Sequence, residues 1–488
     1  MKSTESQYNE ETLDPNDWDQ LRRLGTRMLW DMLEHLETIS ERPVWQPTSP
    51  QVRAAFQSPL PLSESPAESV YEEFLQYILP YTFGNTHPRF WGAVVGTGTP
   101  LGMLSDMLAA GINSPPSLGD NAPVWVEKQV IDWCKQAIGF PDEANGILVS
   151  GTTLGSLLGL TMARSLKAKF DVREEGLIAS AQQMTAYGSD QMHGSLQRAI
   201  EIIGIGNKNL RRIPTNSQGK IDIQELRKAI EDDLTKGLQP FCVIGNAGTT
   251  NTGAIDPLLE MSEIAGEYDL WLHVDGAFGA LATLSPELRP KFEGIHLADS
   301  LAFDLHKWFY LPYDIGCLLV RDDSALQHSF SLHMDYLQEG EGWNGGPEHF
   351  VDMGLQISRS FRALKAWMAF KTYGVNKIGR LIHQNVQQAN YLAELIQDSL
   401  ELELLAPVNL NVVCFRHTVA EKDNDWLDKF NERIIRQLHA SGVAIPTDTV
   451  VNGRFAIRCA IVNHRTRRED LELLVNEVIK LGKALLIE

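Results

Sequence analysis

DSLAFDLHKWFYLP (residues 299–312) sets one lysine, Lys307, between a histidine and a tryptophan at the end of a short apolar run. Lysine is rarely buried unless its charge is compensated. In one reading the stem packs and the ammonium reaches water. In the other, apolar surroundings strip the proton, and the amine becomes a nucleophile able to form a Schiff base. The run itself is one of a series: GILVSG, FCVIGN, LWLHVDGA, SLAFDLHK and GCLLV, with helical stretches between them such as 154–168. Short buried strands alternating with helices predict an α/β fold with a mainly parallel sheet covered on both faces.

Outward from this region the pattern changes twice. Residues 18–38 carry Leu21, Leu24, Met28, Leu29, Met32, Leu33 and Leu36 at helical spacing, with Asp17 placed to cap the helix. Prolines 43, 47, 50, 59, 61 and 66 follow and predict an extended strap. Residues 1–85 therefore read as a helical arm, residues 86–374 as the large domain, and residues 375–488 as a smaller α+β domain. In the last part, a helix over 375–399 leads to the strand LNVVCFRH, a helix over 424–440, the strand RFAIRCAIV and a helix over 468–486.

The chain has 488 residues and a formal net charge of −20, with 43% hydrophobic and 22% charged residues. So acidic a protein is not built to hold nucleic acid or an anionic membrane. No apolar stretch long enough to span a bilayer appears, and the polar start lacks a signal-peptide core. Five scattered cysteines without C-x-x-C spacing point to a reducing compartment, the cytoplasm, rather than to disulfides or zinc. His328 and His333 have no convincing metal-binding companions, so no metal site is expected.

Four motifs could carry chemistry. VSGTTLGSLLG (149–159) leads a strand through Gly151, Thr152 and Thr153 into a helix start, which suits a phosphate. It is not a nucleoside-triphosphate loop, because the G-x-x-x-x-G-K-[ST] pattern is absent. WLHVDGAFGA (271–280) puts Asp275 at a strand end, with the small Ala277 leaving room for a flat ring. VIGNAGTTNTGAIDP (243–257) offers the Thr249 hydroxyl on a turn, and SDQMHGS (189–195) offers the His193 imidazole. Each has a plain alternative: helix capping, a turn aspartate, a turn hydroxyl, a surface histidine. Taken together with Lys307 they match what pyridoxal phosphate needs: an amine for its aldehyde, an acid for its ring nitrogen and a helix start for its phosphate.

The order Thr153, His193, Thr249, Asp275, Ala277, His306-Lys307-Trp308 resembles the group II pyridoxal-phosphate decarboxylases, the aromatic-L-amino-acid decarboxylase family. The likeness runs over nearly the whole chain and includes THPRFW (86–91), FRALKAW (361–367) and RCAIVNHRT (458–466). It implies fold type I architecture, with a seven-stranded, mainly parallel sheet and a small C-terminal domain. It also implies a homodimer whose site lies at the subunit interface, wrapped by the N-terminal arm. By the same likeness Lys307 forms the Schiff base, Asp275 pairs with the pyridine nitrogen, and His193 and Ala277 flank the ring. Gly151, Thr152, Thr153 and His306 serve the phosphate, and Thr249 lies near the ring.

Tyr336, in LHMDYLQEGEGWNGG (332–346), matches the family's loop tyrosine that protonates the carbanion. Relatives with phenylalanine there form aldehydes, so Tyr336 points to the amine. Phe83, Phe90 and Trp91 are candidates to line an aromatic substrate pocket. Two features depart from the aromatic-substrate enzymes. Asp304-Leu305 replaces the frequent Asn-Pro before His-Lys, and APVW in 112–125 resembles the glutamate and cysteine-sulfinate branch. The leading expectation is decarboxylation of tryptophan, tyrosine, phenylalanine or dopa. An acidic or small substrate, read by Arg89, Arg359 or Arg362, and an aldehyde synthase remain alternatives. A persulfide-carrying desulfurase is disfavoured, since no cysteine falls in 328–346.

Overall fold

The computed structural model describes residues 11–117, 119–177, 182–332 and 348–487. Two compact units emerge, Met1–Phe83 and Gly84–Glu488.

The first unit is led by α1 (Trp18–Glu37), whose start is capped by the Asp17 carboxylate accepting from Asp19 N and Gln20 N. Within this unit Tyr71 donates to Asp31 at 2.8 Å, and Arg27 pairs with Glu72 at 2.5 Å. The proline-rich stretch is not extended throughout. Pro50–Ala55 is a short helix, because Ser49 caps it and Pro50 sits at the first helical position, where a missing N–H costs nothing.

The second unit holds two sheets. The larger consists of β1 (Asn145–Val149), β2 (Met184–Ser189), β3 (Leu210–Ile213), β4 (Gln239–Asn246), β5 (Trp271–Asp275), β6 (Ser300–Phe303) and β7 (Gly316–Val320). Their spatial order is β1-β7-β6-β5-β4-β2-β3. The pairs from β3 to β6 are parallel, and β7 runs antiparallel to both its neighbours. The strands are buried along nearly their whole length, as a sheet covered on both faces requires. Helices α2 (Thr152–Lys167) and α3 (Gly194–Ile202) follow β1 and β2. Between β6 and β7 there is only a one-turn helix, α4 (Leu305–Trp308). So short a link cannot carry the chain back across the sheet, so β7 returns antiparallel. With that reversal, β1, β2, β4, β5 and β6 all point the same way, and their carboxyl ends share one edge.

Beyond it runs α5 (Ala363–Gln397), broken only at Gly374, whose φ of +69° is open to glycine. The helix begins at Ala363 rather than near 354, because the preceding residues are held irregularly around the buried Arg359, which binds carbonyls of Pro116 and Leu148. The smaller sheet is antiparallel, ordered β10-β11-β9-β8. Its strands are β8 (Leu402–Leu404), β9 (Val412–His417), β10 (Thr447–Val451) and β11 (Arg454–Ala460), backed by α6 (Asn424–Ser441) and α7 (Arg468–Leu485). Each sheet has its own apolar core. No described helix is long and apolar enough to cross a membrane.

Candidate active site

Lys307 lies on α4, just past the carboxyl end of β6, and is not in apolar isolation. Its Nζ stands 2.9 Å from Asp304 Oδ2, one helical turn back. Burial alone would lower the ammonium, but the Asp304 carboxylate, helped by Asp275, holds it above the ordinary lysine range. The depressed lysine that apolar surroundings suggest is thus reversed by a buried acid.

Around Asp304 the backbone is tight. Asp304 Oδ1 accepts from Thr152 N at 2.6 Å, and Thr152 opens α2. The His306 Nδ1 lies 2.9 Å from the Ile315 carbonyl, and its ring packs 4.4 Å from that of Tyr313. Burial lowers the His306 imidazole. Gly96 presses against this turn so closely that a Cβ there would lie 2.1 Å from the His306 carbonyl oxygen.

Asp275 ends β5 and is buried. Its Oδ1 accepts from Ala277 N at 3.0 Å. Burial pushes its carboxyl up, opposed by the Lys307 cation and by the Ala277 N–H. His193 follows β2 and caps α3. The Ser195 backbone N–H donates to its Nδ1 at 3.2 Å, so the neutral ring carries its proton on Nε2. The last residue of this motif, Ser195, also brings its hydroxyl within 2.8 Å of Nδ1.

These groups surround one cavity of about 390 Å³. Thr152, Thr153, His193, Asp275, Ala277, Asp304 and Lys307 line it, with Thr250 and Arg458. Gly151 sits behind the wall, against Asp304 and His306. Arg458 is a cavity-lining cation that the motifs did not single out. It comes from β11, and its guanidinium donates to the carbonyls of Thr250, Asn251 and Gly92. No described carboxylate pairs with it within 4.0 Å. The signal was present, since an arginine inside the apolar strand RFAIRCAIV is as odd as a lysine inside SLAFDLHKW.

Other expected residues are placed elsewhere. Thr249 is buried, but its hydroxyl accepts from Ala254 N at 3.1 Å within its own turn, and the wall is Thr250 instead. Trp91 is fully buried in the core of the smaller sheet, with Nε1 3.3 Å from Thr466 Oγ1. Phe90 is buried beside it and bridges to Ile445. Neither lines the cavity, whose wall is formed by the residues that follow, Gly92 to Val95. Phe83 ends the first unit and is 61% exposed. Tyr336 and His333 lie outside the described residues. Of the arginines proposed for an acidic substrate, Arg359 pairs with Glu127, Arg89 faces Asp470 at 3.9 Å, and Arg362 faces Asp314 at 3.7 Å. None of the three lines this cavity.

The donors fit pyridoxal phosphate. The volume suits a small cofactor. An amine for the aldehyde and a buried acid for the ring nitrogen face the same space. The start of α2 supplies a positive dipole end, and Thr152 Oγ1 there is buried without a hydrogen-bond partner among the described residues. Fold and cavity together define an α/β protein that binds pyridoxal phosphate at the carboxyl ends of its strands. Residues 50–418 match the pyridoxal-dependent decarboxylase conserved domain, and the chain belongs to that family.

An aromatic-L-amino-acid decarboxylase of Bacillus atrophaeus is 31% identical over 469 residues, spanning 95% of this chain and 96% of that protein. A phenylacetaldehyde synthase of Petunia hybrida is 30% identical over 486 residues, 96% of this chain and 94% of that protein. The crystal structure of an Oryza sativa TDC with PLP and tryptamine superposes with a TM-score of 0.90 at 25% identity, covering 97% of this chain and 100% of that one. The protein is a carboxy-lyase that depends on pyridoxal phosphate, of fold type I.

Proposed function

We propose that this enzyme removes the α-carboxylate of an aromatic L-amino acid and releases the amine. The observation that carries the reading is the cavity where Lys307, Asp275 and the start of α2 converge. When bound there, pyridoxal phosphate supplies the electron sink that takes up the pair left on the α-carbon as carbon dioxide departs. Lys307 would hold the aldehyde end, Asp275 would keep the ring nitrogen protonated, and Gly151, Thr152 and Thr153 would hold the phosphate beside His306. His193 and Ala277 flank the ring. Arg458 offers the substrate carboxylate a buried cation. Tyr336 returns a proton to the α-carbon. The aromatic class follows from relatives named for aromatic substrates.

We read the chain as a homodimer. Trp18, Leu21 and Trp30 on α1 are exposed in the single chain and give a partner apolar surface to cover. The five cysteines are all free and buried, which suits the cytoplasm. The parts 86–374 and 375–488 act as large and small domains, each around its own sheet.

The test is product analysis on purified enzyme with pyridoxal phosphate and a panel of L-amino acids. Aromatic amine without peroxide supports the reading. Aldehyde with ammonia and peroxide, consuming dioxygen, would overturn the role of Tyr336 and favour the synthase chemistry of the Petunia relative. Amine from glutamate, aspartate or cysteine sulfinate alone would overturn the aromatic assignment.

Arg458 has its own expectation. Arg458→Met removes the cation offered to the carboxylate. A hydrogen bond between charged groups contributes roughly 1.5–3 kcal/mol, so kcat/KM is expected to fall about ten- to hundredfold. The affinity for pyridoxal phosphate, measured by titration, should stay near that of the wild type. An unchanged kcat/KM would remove Arg458 from substrate binding.

A further inference from the structure

Of the two described carboxylates that line the cavity, Asp275 and Asp304, the proposed chemistry leaves Asp304 unused. Asp304 sits between β6 and α4 and is 2% exposed. Its two oxygens touch different groups. Oδ1 takes the backbone N–H of Thr152, at the start of α2. Oδ2 faces the Lys307 ammonium at 2.9 Å and the His306 Nε2 at 3.7 Å. Room for it is made by glycine: a Cβ on Gly316 would lie 2.7 Å from Oδ1. Next to that contact, the Thr152 hydroxyl is buried without a partner among the described residues, and Thr152 lines the cavity. One carboxylate thus spans both groups that would grip the cofactor, the helix start at its phosphate end and the amine at its aldehyde end.

We propose that Asp304 is a resident anion, which neutralises the start of α2 and the Lys307 ammonium in the cofactor-free chain, and that an entering phosphate group competes with it for the helix start. The inference rests on the reading of this cavity as the pyridoxal-phosphate site. The physics is Coulombic. A buried cation is costly without a partner, and Asp304 provides one before the cofactor arrives. A phosphate brought to the same helix start meets a carboxylate already there, in surroundings that screen charge poorly. Of the other charged or titratable groups nearby, Asp275 adds to the negative side, while His306 and His193 offset it when protonated. The pair therefore stabilises the empty site and weakens its hold on phosphate.

The experiment uses full-length cofactor-free protein and a matched pair of probes. Pyridoxamine 5'-phosphate carries the phosphate and no aldehyde, and pyridoxamine lacks the phosphate. Affinities are read by quenching of tryptophan fluorescence. Asp304→Asn keeps the shape and the acceptor for Thr152 N–H but removes the charge. It should bind pyridoxamine 5'-phosphate about tenfold more tightly than wild type, with pyridoxamine changed by less than about twofold. The cofactor-free variant should also melt at a lower temperature, since Lys307 has lost its anion. Asp304→Ala should shift the phosphate probe in the same direction. A merely structural role would weaken binding, not tighten it. Unchanged or weaker binding of pyridoxamine 5'-phosphate by both variants overturns the inference alone. Failure of the wild type to bind pyridoxal phosphate would overturn the cofactor reading as well.

Discussion

Lys307→Ala is expected to cut amine formation by about three orders of magnitude or more. Among the described residues the lysine is the one amine facing the cavity, and it is held there by Asp304 at 2.9 Å. Removing it deletes the covalent hold on the cofactor and leaves Asp304 and Asp275 facing each other without their shared cation. The variant should still fold, because Lys307 is on a one-turn helix at the rim of the sheet rather than inside a strand. Turnover measured at saturating pyridoxal phosphate, with circular dichroism as a folding control, checks this. Wild-type turnover in the variant would show that the chemistry does not pass through this residue.

The second large effect is on stability. Arg359→Ala is expected to destabilise the protein by about 3–5 kcal/mol, a sizeable part of the ~5–15 kcal/mol that holds a typical domain folded. Arg359 and Glu127 form a fully buried ion pair. The pair also ties segments together. Arg359 donates to Pro116 O at 3.2 Å and Leu148 O at 2.6 Å, and Glu127 accepts from Leu148 N at 3.2 Å. These bonds join the helix before β1, β1 itself and the approach to α5. Without the arginine, the buried Glu127 charge keeps only the Leu148 N–H and the weaker influence of Arg362 among the described residues.

The pH dependence has a definite sign. Burial already pushes the Glu127 carboxyl up, and Arg359 opposes that push. Deleting Arg359 raises it further, so the folded variant binds a proton that the unfolded chain releases above the ordinary glutamate range. The penalty is therefore largest at neutral pH and shrinks as pH falls toward that range. Urea unfolding of wild type and variant at two pH values, with pyridoxal phosphate held constant, measures it. An equal loss at both would mean that packing, not charge, sets the cost.

Much of this site could be read from residues whose chemistry conflicts with their neighbours. A lysine at the end of SLAFDLHK, an aspartate ending WLHVD and a glycine–threonine turn entering a helix all stand out locally. The parallel strands bring them to one edge without further information. What escaped depends on contacts distant in sequence or on small turns. Whether Thr249 or Thr250 faces the cavity is decided by the turn in which Thr249 N binds Ala254 O. No pattern of spacing distinguishes two adjacent threonines. Phe90 and Trp91 are aromatics near the site in sequence, yet Trp91 pairs through its backbone with Ile445 and Ala460. That long-range pairing draws Trp91 into the smaller sheet's core and leaves Phe90 buried beside it. The Asp304–Lys307 pair could have been inferred from their three-residue spacing, had the one-turn helix been foreseen.

The central claim is that this cavity holds pyridoxal phosphate through Lys307. The direct measurement is borohydride reduction of the holoenzyme, followed by proteolysis and mass spectrometry of the labelled peptide. The account predicts a single reduced phosphopyridoxyl group on Lys307. A label on another lysine, or none in a protein that still forms amine, would contradict it.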